Sequence, residues 1–146
     1  MYPHIEINYM AILAAMVISF FLGGLWYGPL FGKAWYKEVK FDEQNKPDKT
    51  AFVKAAILNL IGTFLTAYIT THISTVWRPS TWNAGADSPS WQYGFYAAFF
   101  VWIGYYLPEF LTRIGFEKQS LRLFAINAGY TFLNLQIVAM IVSAWR

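Results

Sequence analysis

Four long apolar runs, separated by shorter polar stretches, form the main pattern of the sequence. The runs lie at about residues 9–28, 51–73, 91–111 and 121–145. At about 1.5 Å per residue, an α-helix made from each run crosses the roughly 30 Å hydrocarbon core of a bilayer. Pro108 and Glu109 make the end of the third run the least regular, but membrane helices tolerate proline where neighbouring groups bond the freed carbonyl. The pattern predicts an all-α fold, a four-helix transmembrane bundle that forms one domain over residues 1–146.

Basic residues predict the orientation, because lysine and arginine near membrane spans resist translocation. Nine of the 11 basic residues fall in two connections and their flanks: Lys33, Lys37, Lys40, Lys46, Lys49, Lys54, Arg113, Lys118 and Arg122. Arg78 in the middle connection and Arg146 are the other two. Both termini are therefore predicted on the non-cytoplasmic side of the cell membrane, and the bacterial inner membrane is the expected location.

The first connection, residues 29–50, has two interpretations. Phe31, Trp35 and Val39 recur at four-residue spacing with charged residues between them. This pattern is typical of a short amphipathic helix lying on the cytoplasmic interface. The alternative is an ordinary charged loop.

An internal similarity suggests that the four spans are two pairs. Residues 20–31 and 99–110 match at both Phe pairs, a Tyr, a Pro and the last Phe. Residues 59–65 and 127–133 both begin with Asn and end with Thr-Phe-Leu. We interpret this as a duplicated helical hairpin, a 2+2 parallel repeat about a pseudo-two-fold axis along the membrane normal.

Small and weakly polar residues follow one side of each of the first two spans. The first span carries Ala11, Ala15, Ser19 and Gly23, and the second carries Ala55, Asn59, Thr63, Ala67 and Thr71. Helices in lipid associate through such stripes, which allow close backbone approach and bonding between hydroxyls or amides. The two stripes are therefore predicted to pack against each other.

Polar and aromatic residues of the cytoplasmic half form the candidate ligand or packing cluster. Its members share nearly the same predicted depth: Trp26, Tyr27, Asn59, Thr63, Tyr105, Tyr106, Glu109, Asn127, Tyr130 and Thr131. The functional interpretation is a small cavity that binds an amphipathic headgroup, or a cation near Glu109. In the structural interpretation, the two asparagines bond across the bundle and Glu109 pairs with Arg113 one turn later.

Composition agrees with a membrane protein and argues against several other classes. Apolar residues make up 57% and charged residues 13% of the chain, whereas soluble domains carry about 25% charged residues. The net charge of +3 comes from residues that flank spans, so nucleic-acid binding is not expected. Cysteine is absent, and no Ser-His-Asp set, phosphate loop or HExxH motif is recognisable. His4, His72 and Asp87 lie at unrelated spacings, so we expect no metal site. Because no catalytic motif is recognisable, we also expect no enzyme activity and no cofactor.

Two segments resemble a family of small four-span membrane proteins described as a domain of unknown function. Residues 24–35 resemble its signature G-x-L-W-Y-S-P followed by F-G-K-x-W, and residues 123–130 resemble I-N-x-G-Y. The resemblance extends over nearly the whole chain. It differs at Gly28, where the signature has Ser, and Glu109 is not a family feature. The family implies the four-span architecture and brings no activity, substrate or cofactor.

Two functions follow from these expectations. The first is a non-catalytic membrane scaffold or accessory subunit, which packs against itself or a larger complex through its small-residue and aromatic faces. The alternative is a small carrier or lipid-binding protein that uses the candidate cluster. The expected partners are membrane lipid together with a second copy or another membrane protein.

Overall fold

The computed structural model describes residues 4–40 and 48–146, and these residues form helices and turns without a β-strand. Six α-helices follow one another in the described ranges: α1 (Tyr9–Leu25), α2 (Gly32–Glu38), α3 (Lys49–Val76), α4 (Ser90–Val101), α5 (Leu107–Phe116) and α6 (Leu121–Ala144). The fold is therefore all-α, as the apolar runs predict.

Side-chain caps fix where the three long helices begin. The Asn8 side chain accepts hydrogen bonds from the first turn of α1, Asp48 accepts one from Ala51 N, and the Ser120 hydroxyl accepts one from Leu123 N. The first backbone N–H groups of a helix have no partner within the helix, and these oxygens supply one. Each cap thus sets the register of the apolar residues that follow.

Two π-helical turns, Trp26–Leu30 and Trp102–Tyr106, interrupt the helical path. In the first turn the Gly28 backbone leaves the helical region, with φ −102° and ψ −105°, and Pro29 supplies no N–H to the helix. This turn joins α1 to α2. The second turn connects α4 directly to α5, so Ser90–Val101, Trp102–Tyr106 and Leu107–Phe116 form one continuous helical stretch.

The long helices pack around α6. Helix α6 contacts α4, α1 and α3, and α3 also contacts α1 and α4. One buried cluster joins α1, α3 and α6 through Ala11, Ile12, Ala15, Ala67, Val138 and Val142. A second cluster joins α4 to α6 through Ala98, Leu135 and Ala139. Small side chains dominate both clusters, which is how membrane helices approach closely without a water-driven hydrophobic effect.

The backbones of α4 and α6 approach each other closely at Gly94. A Cβ atom at this position would collide with the carbonyl oxygen of Ala139 and lie 2.8 Å from its carbonyl carbon. The two helices therefore touch backbone to backbone at a position that only glycine fits.

The described residues contain three helices that are long and apolar enough to cross a membrane: Tyr9–Leu30, Lys49–Val76 and Leu121–Ala144. Their outward side chains are largely apolar and exposed, as with Phe21 at 70% and Phe52 at 62%. Such a surface is expected where the solvent is lipid. The predicted span at 91–111 falls on α4, the second π turn and the first half of α5.

The predicted cytoplasmic connection, residues 29–50, contains α2. Within α2, Trp35 is half-buried, whereas Lys33 and Lys37 are exposed. Residues 41–47 of this connection lie outside the described ranges.

Candidate functional site

The first π turn and α6 form the best-defined part of the candidate cluster. The Trp26 indole Nε1 donates a hydrogen bond of 3.0 Å to the Ile126 carbonyl oxygen. The neighbouring Tyr27 hydroxyl donates one of 3.1 Å to Oδ1 of Asn127. Two consecutive residues of the turn thus bond two consecutive residues of α6, which fixes the end of α1 against the start of α6.

Aromatic rings fill the space around these bonds. The Tyr130 ring centroid lies 5.0 Å from that of Tyr27 and 6.2 Å from that of Trp26, and the Trp35 ring of α2 contacts Tyr27 at 5.5 Å. These separations are typical of tilted and edge-to-face aromatic pairs. The polar atoms are therefore enclosed by rings, and this part of the cluster is packed.

The small-residue stripe of α1 faces α3 and α6. Ala11, Ala15 and Ser19 are fully buried, and the Ser19 hydroxyl oxygen lies 3.4 Å from that of Thr63 on α3. Gly23, one turn after Ser19, lies against α6, because a Cβ there would be 3.1 Å from the Tyr130 hydroxyl oxygen. The stripe of α1 thus contacts the stripe of α3 at Thr63 and the aromatic cluster at Gly23.

The remaining members of the candidate cluster are not brought together. Asn59 and Tyr105 are exposed, Tyr105 at 77%, and Glu109 is exposed and bonded to Arg113 at 2.7 Å. Tyr106 instead packs against the α4–α6 contact, and the Thr131 hydroxyl bonds the Asn127 carbonyl oxygen within its own helix. Asn59, Tyr105 and Glu109 are therefore exposed side chains and not parts of the packed contact between Tyr27 and Asn127.

Equal depth does not ensure proximity. Asn59 lies five residues after Lys54, and Asn127 lies five residues after Arg122, so both amides have the same distance from the basic residue before them. Asn127 is half-buried and bonded to Tyr27, whereas Asn59 is exposed. A residue's depth follows from its position in the span, but its direction depends on how each helix is rotated, and the sequence leaves that open.

A polar network around Arg78 lies at the other end of the bundle, where α3 ends, α4 begins and α6 ends. Arg78 is 1% exposed, and its guanidinium donates to the Ser143 carbonyl oxygen at 2.7 Å and to the Ser143 hydroxyl at 3.0 Å. It also donates to the Ser90 hydroxyl at 3.1 Å and lies 4.7 Å above the Tyr93 ring. One side chain therefore links three helix ends.

Asp87 supplies the negative charge of this network. Its carboxylate lies 3.5 Å from Arg78 and 3.8 Å from Arg146, and it accepts hydrogen bonds from the backbone N–H and the hydroxyl of Ser80. The Ser80 backbone bond above all, with Arg78 and the Ser80 hydroxyl, lowers the pKa of Asp87. Burial, and then the charge of Arg146, lowers the pKa of Arg78, but an arginine stays charged.

Sequence reasoning missed this network because it used Arg78 only as a charge that reports orientation. A usable signal is present nonetheless. Arg78 and Asp87 are of opposite charge within one short connection, and that connection is bounded by Ser90 at the start of α4. Ser143, the strongest partner, is not recognisable from sequence because the contact depends on how α6 packs.

The three residues considered for metal binding do not come together in the described ranges, where no group of three His, Cys, Asp or Glu side chains is suited to a metal. His72 Nδ1 lies 2.8 Å from the carbonyl oxygen of Tyr68, one turn earlier in α3. Asp87 is engaged by Ser80 and Arg78.

Comparison with known proteins identifies the family. Neither a curated protein nor a solved structure matches the chain. The family with the description "Protein of unknown function (DUF1761)" matches residues 10–143, which is nearly the whole chain. The segments with the recognisable signature, residues 24–35 and 123–130, lie within this match and contain the bonded pairs of the first π turn and α6. The chain belongs to the DUF1761 family of proteins of unknown function.

Proposed function

We propose that this protein is a non-catalytic, four-span membrane subunit that associates with a second copy of itself through the exposed side of α3. The three apolar helices supply three crossings. The continuous stretch from α4 through the second π turn to α5 supplies the fourth. The basic residues between α1 and α3 and between α4 and α6 then lie on the cytoplasmic side. With four crossings, both termini lie on the non-cytoplasmic side.

The order of elements supports a duplicated hairpin. Each half contains a helix, a π turn, a second short helix and a long helix: α1, turn, α2 and α3, then α4, turn, α5 and α6. In this repeat α1 corresponds to α4, and α3 corresponds to α6. The helix contacts show the same correspondence, because α1 contacts α3 and α6, and α4 contacts α6 and α3. In the match of residues 20–31 with 99–110, Trp26 corresponds to Tyr105. The second π turn begins at Trp102, which is three residues earlier than this match predicts.

The scattered polar residues support a non-catalytic role. General acid–base and nucleophilic catalysis need a nucleophile, a base and an orienting group within hydrogen-bonding distance. In residues 4–40 and 48–146, Glu109 is paired with Arg113 at the surface, and the part-buried hydrogen bonds of the first π turn lie beside the Tyr130 ring. This arrangement favours packing over chemistry.

The exposure of Asn59 is the observation that carries the proposal. Asn59 lies about 7 Å beyond Lys54 along α3, at about 1.5 Å per residue, and therefore within the apolar part of the helix. Its side-chain amide makes no hydrogen bond with any residue that the structure describes. An amide facing lipid without a partner is unfavourable, and bonding to a second helix relieves this cost.

The surroundings of Asn59 permit close approach of another helix. Gly62, three residues later, has open space where a Cβ would lie, and the Thr66 hydroxyl is bonded within α3 to the Gly62 carbonyl oxygen. The side of α3 that contains Asn59 and Gly62 therefore has an exposed amide next to a backbone position without a side chain. Two copies of this side would satisfy both amides through an isologous contact.

Single-cysteine variants test the association without background, because the chain contains no cysteine. Gly62→Cys should form an intermolecular disulfide in native membranes, whereas Ile61→Cys, exposed on another side of α3, should not. Detergent-solubilised Asn59→Leu should shift toward monomer in light scattering, and Asn59→Gln, which keeps the amide, should remain associated. A monomeric parent protein without Gly62→Cys crosslinking would overturn the proposal.

The alternative, a carrier with a cavity around Glu109, has less support. Asn59, Tyr105 and Glu109 are exposed, and Glu109 is paired with Arg113. Binding of an amphiphile has support from a different feature, a groove beside the first π turn.

A further inference from the structure

A groove of about 380 Å³ lies between the first π turn, α2 and α6. Its lining includes Trp26, Phe31, Ala34, Arg122, Ala125 and Gly129. The volume is within the roughly 300–1,000 Å³ of typical ligand sites. The groove lies outside the packed contact between Tyr27, Asn127 and Tyr130.

Along α6 the groove changes from charged to apolar. Arg122 lies in the first turn of α6 and is exposed, and its guanidinium makes no ion pair in the part of the chain that the structure describes. Ala125 and Gly129 follow one and two turns later, so the small-residue floor extends about 10 Å into the apolar part of the helix at about 1.5 Å per residue. A charge at one end and an apolar floor beyond it match the two parts of an amphiphile.

Aromatic rings form the opposite wall. The centroids of Trp26 and Phe31 are 4.5 Å apart, and the Trp26 indole is fixed by its bond to the Ile126 carbonyl oxygen. A Cβ at Gly129 would lie 3.4 Å from Cζ2 of Trp26, so the ring also contacts the floor of the groove. The wall is therefore rigid before any ligand arrives, which lowers the entropic cost of binding.

The charges around the groove favour an anion. Lys33 lies next to Ala34 in α2 and is exposed, so α2 carries a positive charge one residue from the lining of the groove. Glu38, the acidic residue of α2, accepts a hydrogen bond from the Ser120 hydroxyl and keeps its negative charge, but it does not line the groove, whereas Arg122 does. Basic pockets between membrane helices at the cytoplasmic face are the usual sites of acidic lipid headgroups.

We infer that this groove binds one anionic phospholipid, with the headgroup phosphate at Arg122 and an acyl chain along Ala125 and Gly129 beside Trp26. Charge complementarity selects an acidic headgroup, and the apolar floor requires a chain that a free phosphate lacks. The inference rests on the membrane placement in the proposed function, but it does not need self-association.

Native mass spectrometry from micelles with equal amounts of dioleoyl phosphatidylglycerol and dioleoyl phosphatidylcholine tests the site. The parent protein should retain phosphatidylglycerol in preference to phosphatidylcholine. Arg122→Gln should lower this preference about five-fold, the effect of one basic residue at an acidic lipid surface. Ala125→Leu, which fills the floor, should reduce the retention of both lipids.

Arg113→Gln is the matched control, because Arg113 lies in α5 and pairs with Glu109 away from the groove. It should leave the lipid preference unchanged. No preference for phosphatidylglycerol in the parent protein would overturn the inference, and so would an equal loss in Arg113→Gln and Arg122→Gln. Arg122 is exposed, so its replacement leaves the fold intact and the outcome interpretable. The same spectra separate monomer from dimer, so a lipid-bound monomer would refute self-association alone.

Discussion

The Arg78 guanidinium bonds both the carbonyl oxygen and the hydroxyl of Ser143, 65 residues further along the chain. The same Ser143 hydroxyl donates to the carbonyl oxygen of Ser90 at the start of α4. A charge-assisted pair at one guanidinium nitrogen is among the stronger side-chain interactions in proteins, especially where water is excluded. The three helix ends are therefore joined through few but strongly bonded atoms.

Replacing Arg78 should destabilise the bundle more than any other change to a charged side chain in this network. Arg78→Leu removes the guanidinium bonds to Ser143 and Ser90, and bonds to a charged group contribute about 1.5–3 kcal/mol, so we expect a loss of at least this size. Arg78→Lys should restore only part, because an ammonium group lacks the planar fork of a guanidinium. Thermal unfolding in micelles, followed by circular dichroism, measures both changes.

Arg146→Leu provides the control for charge. Arg146 contacts the same carboxylate at 3.8 Å but is 49% exposed, so its removal should cost no more than about 1 kcal/mol. Equal effects of Arg78→Leu and Arg146→Leu would show that burial of Arg78 contributes nothing.

Gly94→Ala should separate α4 from α6. The added methyl group meets the backbone of Ala139, which cannot rotate away, and overpacking of this kind costs about 1–3 kcal/mol. The melting temperature should fall accordingly. Gly24→Ala is the matched control, because no atom lies within 4 Å of a Cβ at Gly24 in α1, and alanine should be neutral or slightly stabilising there. Similar melting temperatures for the two variants would contradict the backbone contact.

The Tyr27–Asn127 bond should appear as a coupling between two substitutions. A double-mutant cycle of Tyr27→Phe and Asn127→Leu isolates the pair, and bonds of this kind between membrane helices contribute about 0.6 kcal/mol, at most about 1.7. Tyr105→Phe with Asn127→Leu is the control cycle, because the exposed Tyr105 does not contact α6 through a hydrogen bond in the described residues. Unfolding in a graded denaturant series measures the free energies. A coupling of zero in the Tyr27 cycle would indicate that the two groups prefer other partners in lipid.

Much of the fold follows from periodicity and run length. The helices Tyr9–Leu30, Lys49–Val76 and Leu121–Ala144 lie close to the predicted runs, because apolar length alone decides which segments suit a membrane. The family was recognisable from the residues around Trp26 and Asn127.

The details of the site depended on helix rotation and on long-range contacts. Asn59 and Asn127 look equivalent in the sequence, but the half-buried one bonds Tyr27 and the other is exposed. Gly94 stands in an aromatic-rich stretch where nothing indicates a backbone contact with Ala139. Such contacts arise from the packing of two helices, so neither local propensity nor residue spacing reveals them.

The placement of Ser143 also sets an order on assembly. Ribosomes make α3 well before α6, so Arg78 has no access to its principal partner until α6 has been synthesised. During that interval the partners of the guanidinium that have already been synthesised are Asp87, Ser90 and Tyr93. The bonds between Arg78 and Ser143 therefore form late in assembly, only after α6 has packed against α3 and α4.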